Sequence, residues 1–132
     1  VVRFKSDLLF DRGKDTIQAQ AADQVKAFAD ILNTPDAQDF DILIVGHTDD
    51  IPIEKPDTKA KHPTNWYLSA HRSIAVQNLL ASSGLAQNRI AVVGMGEYNP
   101  IAPNAPGKKG NPLNRRVEIY IVPAGSLRIT NN

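Results

Sequence analysis

The sequence contains no cysteine, which excludes disulfides, thiolate zinc sites and a cysteine nucleophile. It also lacks an excess of either charge: 15 basic residues stand against 14 acidic ones, so the net charge of +1 favours neither nucleic acid nor an anionic membrane as a partner. No apolar run approaches the roughly 20 residues that a membrane-spanning helix needs. The chain starts at Val1 without a methionine or signal peptide, which predicts an excised fragment with its anchor upstream.

The 132 residues are typical of one domain with a real hydrophobic core, and the 42% apolar and 22% charged fractions are ordinary for a globular protein. We expect a single domain over residues 1–122, with a lead-in strand and turn over 1–15. Residues 123–132 carry no firm structural signal and are expected to form a C-terminal tail.

Two segments have the periodicity of amphipathic helices. Apolar residues recur every three or four positions over 16–32, and Asp15 or Thr16 is expected to cap that helix. A second helix is predicted over 66–83, with Gly84 as its C-terminal cap. Between them, residues 50–64 are rich in proline, which predicts a long loop without a helix.

Strands are predicted over 1–4, 41–45, 90–94 and 116–122, from apolar runs or apolar–polar alternation. The resulting order is an α/β arrangement, a βαβαββ sandwich in which helices pack on one mixed sheet. Strands joined through a helix favour parallel crossovers, and the last strand is expected to return antiparallel.

An acidic residue and a basic residue flank the same predicted edge of the sheet. Thr48 and Asp49 follow a buried strand and are expected to be exposed, whereas Asn65 is a plausible N-cap for the helix that carries Arg72. Such a pair could grip a ligand that has both an ammonium and a carboxylate. Alternatively, Asp49 caps a turn, Arg72 is an exposed helix residue, or the two pair without any ligand. Both side chains are expected at the surface. Trp66 either packs in the core or pocket wall or offers a sugar a stacking platform.

Catalytic and metal sites are not expected. Ser69 and His71 lie two apart on a helix and point in different directions, so they form no triad with Asp49. The spacing of His47, His62 and His71 matches no zinc motif, and His47 is expected to pack near its strand end. The prediction is therefore a non-enzymatic domain without a cofactor or metal.

Four ordered blocks of residues cover about the last two-thirds of the chain. They are Gly46-His47-Thr48-Asp49, Asn65-x-x-Leu68-Ser69-x-x-Arg72, Gly94-x-Gly96-Glu97-x-x-Pro100-x-x-x-Asn104, and Asn114-Arg115-Arg116-Val117-Glu118-Ile119. Together they resemble the OmpA-like peptidoglycan-binding domain. The last block, read without the resemblance, is typical of a charged, solvated strand edge.

The resemblance implies a ligand and a set of binding residues. The ligand is the peptide stem of peptidoglycan, recognised through the zwitterionic end of diaminopimelate. By motif, Asp49 and Arg72 make the main grip, and four further positions line or support the pocket: Thr48, Asn65, Leu68 and Arg115.

The long connection between Asp49 and Asn65 resembles the MotB-type variant of the family. That resemblance implies the periplasmic part of an inner-membrane flagellar stator subunit, acting as a homodimer whose membrane anchor or stator partner lies upstream. Two alternatives remain: the periplasmic domain of an outer-membrane OmpA-type or peptidoglycan-associated lipoprotein-type tether, and a protein–protein interaction module with a vestigial pocket.

Overall fold

The computed structural model describes residues 1–128, and its strands form one four-stranded mixed sheet. In chain order the elements are β1 (Val2–Lys5), α1 (Ser6–Leu9), α2 (Ala19–Leu32), β2 (Phe40–His47), α3 (Pro56–Lys61), α4 (Asn65–Ser82), β3 (Ile90–Gly94) and β4 (Arg116–Pro123). Short 3-10 turns occupy Pro35–Ala37, Gln87–Arg89 and Pro112–Asn114. The predicted α/β fold with one mixed sheet is confirmed.

The strand order across the sheet is β1-β4-β2-β3. β2 and β3 are parallel, whereas β4 runs antiparallel to both β1 and β2, as expected for the returning last strand. Since β4 is an inner strand, the interpretation of its start as a solvated edge is wrong. Arg116 and Glu118 are buried on the face of β4 opposite the core residues.

The core lies between α2, α4 and one face of the sheet. Alternate residues of β2 and β4 point into it, and the apolar stripes of both helices cover them. Its fully buried members include Val25, Ile44, Val76, Val117 and Ile119. This single-faced packing agrees with the alternation of apolar and polar residues at the start of β4.

Helix α4 crosses the sheet closely because glycines stand at the crossing point. A Cβ on Gly46 would collide with the carbonyl oxygen of Ser69, and one on Gly94 would come within 2.6 Å of the amide nitrogen of Ala70. The approach fixes the first turns of α4 beside the carboxyl end of β2. That placement brings the two predicted binding segments together.

The first long helix begins later than its apolar pattern suggests. Ile17 forms an isolated antiparallel bridge with Phe10, so α2 starts at Ala19 and its N-cap is Gln18, without a side-chain capping bond. The predicted start at residue 16, with Asp15 or Thr16 as cap, is wrong. The backbone of Ile17 pairs with Phe10 in this bridge, so Ile17 does not open the helix although it continues the apolar pattern.

The proline-rich connection contains a helix, contrary to expectation. α3 begins at Pro56, where proline is tolerated because the first helical N–H needs no intrahelical partner. The prediction for the end of α4 is confirmed, since Gly84 follows the C-cap Ser83 with a φ of 100°.

The proposed tail, 123–132, starts at the last residue of β4, and its residues 129–132 lie outside the described part of the chain. The amide of Ala124 still donates to the carbonyl of Asp39 at 2.8 Å. Within residues 1–128, none of the helices has the length and apolar character needed to cross a membrane.

Candidate functional site

A cavity of about 600 Å³ opens at the carboxyl end of β2. Its wall comes from the lead-in segment 7–18, the connection 48–58, the start of α4 and the residue before β4. The structure places all six residues singled out from the sequence in this wall: Thr48, Asp49, Asn65, Leu68, Arg72 and Arg115.

Asp49 is held inside the cavity wall and is only 4% exposed, so the expectation of an exposed Thr–Asp pair is wrong. Its Oδ2 accepts a charged hydrogen bond from Arg115 at 2.5 Å, and its Oδ1 accepts from the amide of Ile51 at 3.2 Å. Thr48 is buried beside it and donates to the Asp49 carbonyl at 2.8 Å. The carboxylate is therefore oriented, and it partners Arg115 where the sequence suggested Arg72.

Arg72 reaches the cavity from α4 and is 5% exposed. Its Nε donates to the Lys14 carbonyl at 2.9 Å, one terminal nitrogen donates to the Asp11 carbonyl at 3.4 Å, and the guanidinium lies 4.9 Å from the ring centroid of Phe10. Burial lowers the pKa of Arg72 to about 10, so the group remains a cation at neutral pH. Among residues 1–128, no carboxylate lies within ion-pair distance of it.

Comparison with a second buried arginine shows that the hydrogen bonding of Arg72 is incomplete. Arg89 donates four hydrogen bonds to the carbonyls of Leu32, Ala37 and Phe40, at 2.7 to 3.1 Å. Backbone acceptors thus satisfy most of the Arg89 donors, and Arg89 does not contact the cavity. Arg72 has only one such bond of good length and faces open volume, which is the environment that an incoming anion would complete.

Arg115 links the two acidic sides of the cavity. It forms a two-pronged pair with Asp7, at 2.9 and 2.6 Å, in addition to its bond with Asp49. The hydrogen bonds with Asp7 raise the pKa of Arg115, and the same pairing lowers the pKa of Asp7. The geometry assigns Arg115 the role of fixing the Asp49 carboxylate.

Asn65 and Leu68 complete the wall. Thr64 is the N-cap of α4, so the prediction that Asn65 caps the helix is wrong. The Asn65 amide instead donates to the carbonyls of Asp49 and Ile51, at 3.3 and 3.1 Å, which ties the connection to the helix. Leu68 is buried and supplies apolar surface.

The ionisable residues of the cavity wall are balanced in charge. Four are acidic and four are basic: Asp7, Asp11, Asp49, Glu54, Arg12, Lys55, Arg72 and Arg115. A balanced wall offers little to a ligand of one sign, whereas it suits a ligand that carries both charges on one centre.

The sequence motifs do not include several residues of the cavity wall. The lead-in segment contributes Asp7 and Phe10, and the connection contributes Ile51, Ile53 and Thr58. The length and proline content of the connection were the available signal, because such loops are usually functional. Nothing local in the lead-in segment predicts that it folds against Arg115.

Other singled-out side chains lie outside the cavity wall. His47 is buried with its Nε2 2.9 Å from a carboxylate oxygen of Glu118, consistent with a packing role. Trp66 is 49% exposed and stacks on Tyr98 with ring centroids 5.1 Å apart, so it is neither core nor pocket wall. The Ser69 hydroxyl donates to the Trp66 carbonyl and accepts from the Gly96 amide, which leaves it no catalytic arrangement.

The chain is similar to several characterised proteins. It is 33% identical to Motility protein B of Bacillus subtilis over 96% of this chain and 46% of that protein. It is 36% identical to Outer membrane porin F of Pseudomonas fluorescens over 92% of this chain and 34% of that protein, and 38% identical to Peptidoglycan-binding protein ArfA of Mycobacterium bovis over 77% of this chain and 26% of that protein. The chain thus spans less than half of the length of each of these relatives.

Solved structures share the fold. The periplasmic domain of Helicobacter pylori MotB matches with a TM-score of 0.78 and 28% identity, over 92% of this chain and 74% of that one. The cell wall anchor of the type VI secretion system of Pseudomonas aeruginosa matches with a TM-score of 0.74 and 30% identity, over 92% of this chain and 78% of that one. The OmpA family model matches residues 9–115, and the chain therefore belongs to the OmpA family.

Proposed function

We propose that this domain binds peptidoglycan without catalysis and thereby anchors a membrane protein to the cell wall. The observation that carries the proposal is the state of Arg72, a buried cation that faces a cavity of about 600 Å³ and has no carboxylate partner among residues 1–128. A relative that is named a peptidoglycan-binding protein and a structural neighbour described as a cell wall anchor support the ligand class.

The proposed ligand group is the free end of diaminopimelate, where an ammonium and a carboxylate share one carbon. Its carboxylate receives two parallel hydrogen bonds from the Arg72 guanidinium, and its ammonium donates to Asp49. Arg115, Thr48 and Asn65 hold Asp49 and the surrounding backbone, while Leu68 covers the aliphatic part of the ligand. The balanced wall charge favours such a zwitterion over a simple anion.

Co-sedimentation with purified peptidoglycan tests this assignment. We expect the wild-type domain to pellet with diaminopimelate-type peptidoglycan and not with lysine-type peptidoglycan, whose stem lacks the second carboxylate. Asp49→Asn keeps the side-chain shape but removes its charge, and it should weaken binding by about 30-fold or more, because removing one partner of a desolvated charge pair costs at least about 2 kcal/mol. Arg72→Lys keeps the positive charge but loses the guanidinium that makes two parallel hydrogen bonds, so it should also weaken binding.

Two substitutions at the cavity rim serve as matched controls. Asp11→Asn and Arg12→Lys make the same chemical changes at exposed wall positions outside the proposed grip. They should pellet like the wild type, and circular dichroism should show all four variants folded. Equal binding by the wild type, Asp49→Asn and Arg72→Lys would refute the grip, and no pelleting of the wild type would favour a protein-interaction module with a vestigial pocket.

We further propose that the anchored protein is a MotB-like flagellar stator subunit of the inner membrane, which acts as a homodimer. The similarity to Motility protein B over 96% of this chain supports the proposal. A chimera in which this domain replaces the matching part of the Bacillus protein should restore swimming in soft agar, and the chimera with Arg72→Lys should not. Light scattering of the purified domain tests the dimer.

The similarity to Outer membrane porin F supports a second candidate, a tether of the outer membrane. A chimera that binds the wall but does not support swimming would favour this candidate over the stator.

A further inference from the structure

Three metal-ligating side chains meet beside the cavity, from three separate segments of the chain. Asp15 lies before α2, His62 is the C-cap of α3, and His71 is on α4. One ligand atom from each lies within 4.8 Å of the others. The sequence spacing did not predict this cluster, because the fold of the long connection places His62 against α4.

His62 carries a buried polar atom that the protein leaves unsatisfied. The residue is 2% exposed, and its Nδ1 lies 2.7 Å from the Nδ1 of His71. Its Nε2 has no hydrogen-bond partner among the described residues, and the nearest carboxylate oxygen, on Asp15, is 3.9 Å away. Buried polar atoms are nearly always partnered, so a group that bridges this gap would relieve a real cost.

We propose that Asp15, His62 and His71 bind a divalent transition-metal ion of the zinc class. Two imidazoles and one carboxylate are a ligand set that suits Zn²⁺, with bonds of about 2.0–2.2 Å and a fourth position left for water. In a tetrahedral site, such bonds place neighbouring ligand atoms roughly 3.3–3.6 Å apart. With His62 Nε2 as the ligand atom, the Asp15 oxygen must approach from 3.9 Å, which its 42% exposed side chain allows, and His71 must turn a ring nitrogen from His62 Nδ1 toward the ion.

The ion would join the segments that hold Arg72. The Lys14 carbonyl, next to Asp15, accepts from the Nε of Arg72, and His71 directly precedes Arg72 on α4. None of the three proposed ligands lines the cavity itself. Metal binding would thus stabilise the segments behind the cavity wall and leave the cavity free for the ligand.

Isothermal titration calorimetry tests the site. Untagged protein is freed of metal with a chelator, which is then removed, and is titrated with ZnCl₂ in a non-coordinating buffer at pH 7.5. We expect one ion per chain, and a loss of affinity of at least about tenfold in Asp15→Asn, since even partners outside the first coordination sphere are worth that much. His71→Ala should lose more.

Asp57→Asn is the matched control, because Asp57 is an exposed carboxylate on α3 that is not part of the cluster. It should bind zinc like the wild type, and zinc should raise the melting temperature of both proteins but not that of His71→Ala. Asp15 lies at a partly exposed loop position, so Asp15→Asn should fold and keeps the test valid if His71→Ala fails to fold. Absence of binding to the wild type, or equal affinity in Asp15→Asn, would overturn the proposal.

Discussion

Substitution of Gly110 tests the geometry around Asp49 without replacing a charged residue. Gly107 and Gly110 lie in the same loop and both have a φ of 75°. A Cβ on Gly107 would meet no atom within 4 Å, whereas a Cβ on Gly110 would collide with the Asp49 carboxylate and come within 2.8 Å of Ile51. Alanine at Gly107 therefore measures backbone strain alone, and alanine at Gly110 adds displacement of the carboxylate.

The expected magnitudes follow from these two contributions. A left-handed conformation costs alanine about 1–2 kcal/mol. For a domain of this size, 1 kcal/mol lowers the melting temperature by roughly 3–5 °C, so Gly107→Ala should lose about 3–10 °C. Moving Asp49 also weakens its charged bond to Arg115. Because Arg115 is a quarter exposed, we take the low end of the range for such bonds, about 1.5 kcal/mol, and expect Gly110→Ala to lose about 8–18 °C.

Thermal unfolding followed by circular dichroism measures both variants, and peptidoglycan pelleting gives an independent readout. Gly107→Ala should pellet like the wild type, and Gly110→Ala should pellet weakly because its Asp49 is displaced. Equal losses of melting temperature in the two variants, or full wall binding by Gly110→Ala, would refute the reasoning about the packed carboxylate.

Three further outcomes follow from the structure. Burial, aided by Arg116, lowers the pKa of His47 below its usual 6.5, so the unfolded chain binds more protons at this residue than the folded chain does. The stability of the domain should therefore fall as the pH drops from about 6.5, and the urea midpoint of His47→Gln should decline less than that of the wild type between pH 7 and 5. Asn114 is fully buried and satisfies two loop amides and two acceptors, so Asn114→Ala should cost about 3 kcal/mol or more by urea unfolding. Gly46→Ala should cost about 3 kcal/mol in the same assay, since its methyl group collides with the Ser69 backbone, and a loss below about 1 kcal/mol would contradict the close crossing.

The sequence predicts elements whose side chains repeat regularly. The apolar periods of α4 and β3 give their positions to within a residue, because a buried face imposes its period on the residues that form it. The same periods give the end of α2 and fail at its start, where Ile17 continues the apolar pattern of the helix but pairs with Phe10. Such a competition depends on a contact that no local pattern contains.

The candidate site was likewise predictable only in part, because its residues follow a motif but its contacts do not. Its six residues were found by motif and lie in one cavity, but their pairing was not predicted. Asp49 and Arg72 were expected at the surface and are both buried, since segments 10–14 and 51–58 fold over them. The partner of Arg115 that lies outside the motifs, Asp7, is 108 residues away in sequence, and long-range ion pairs leave no periodic signal.

The lead-in strand gives the domain a short path for mechanical load. Tension applied at the amino end would act on β1, whose four residues are hydrogen-bonded along β4, and then on Asp7, which holds Arg115 and through it Asp49. The path reaches the proposed wall contact within seven residues and does not cross the hydrophobic core. In the proposed anchor, a pull between membrane and wall would thus be carried in part by strand pairing and ion pairs at one edge of the sheet, and in part by Arg72 on α4.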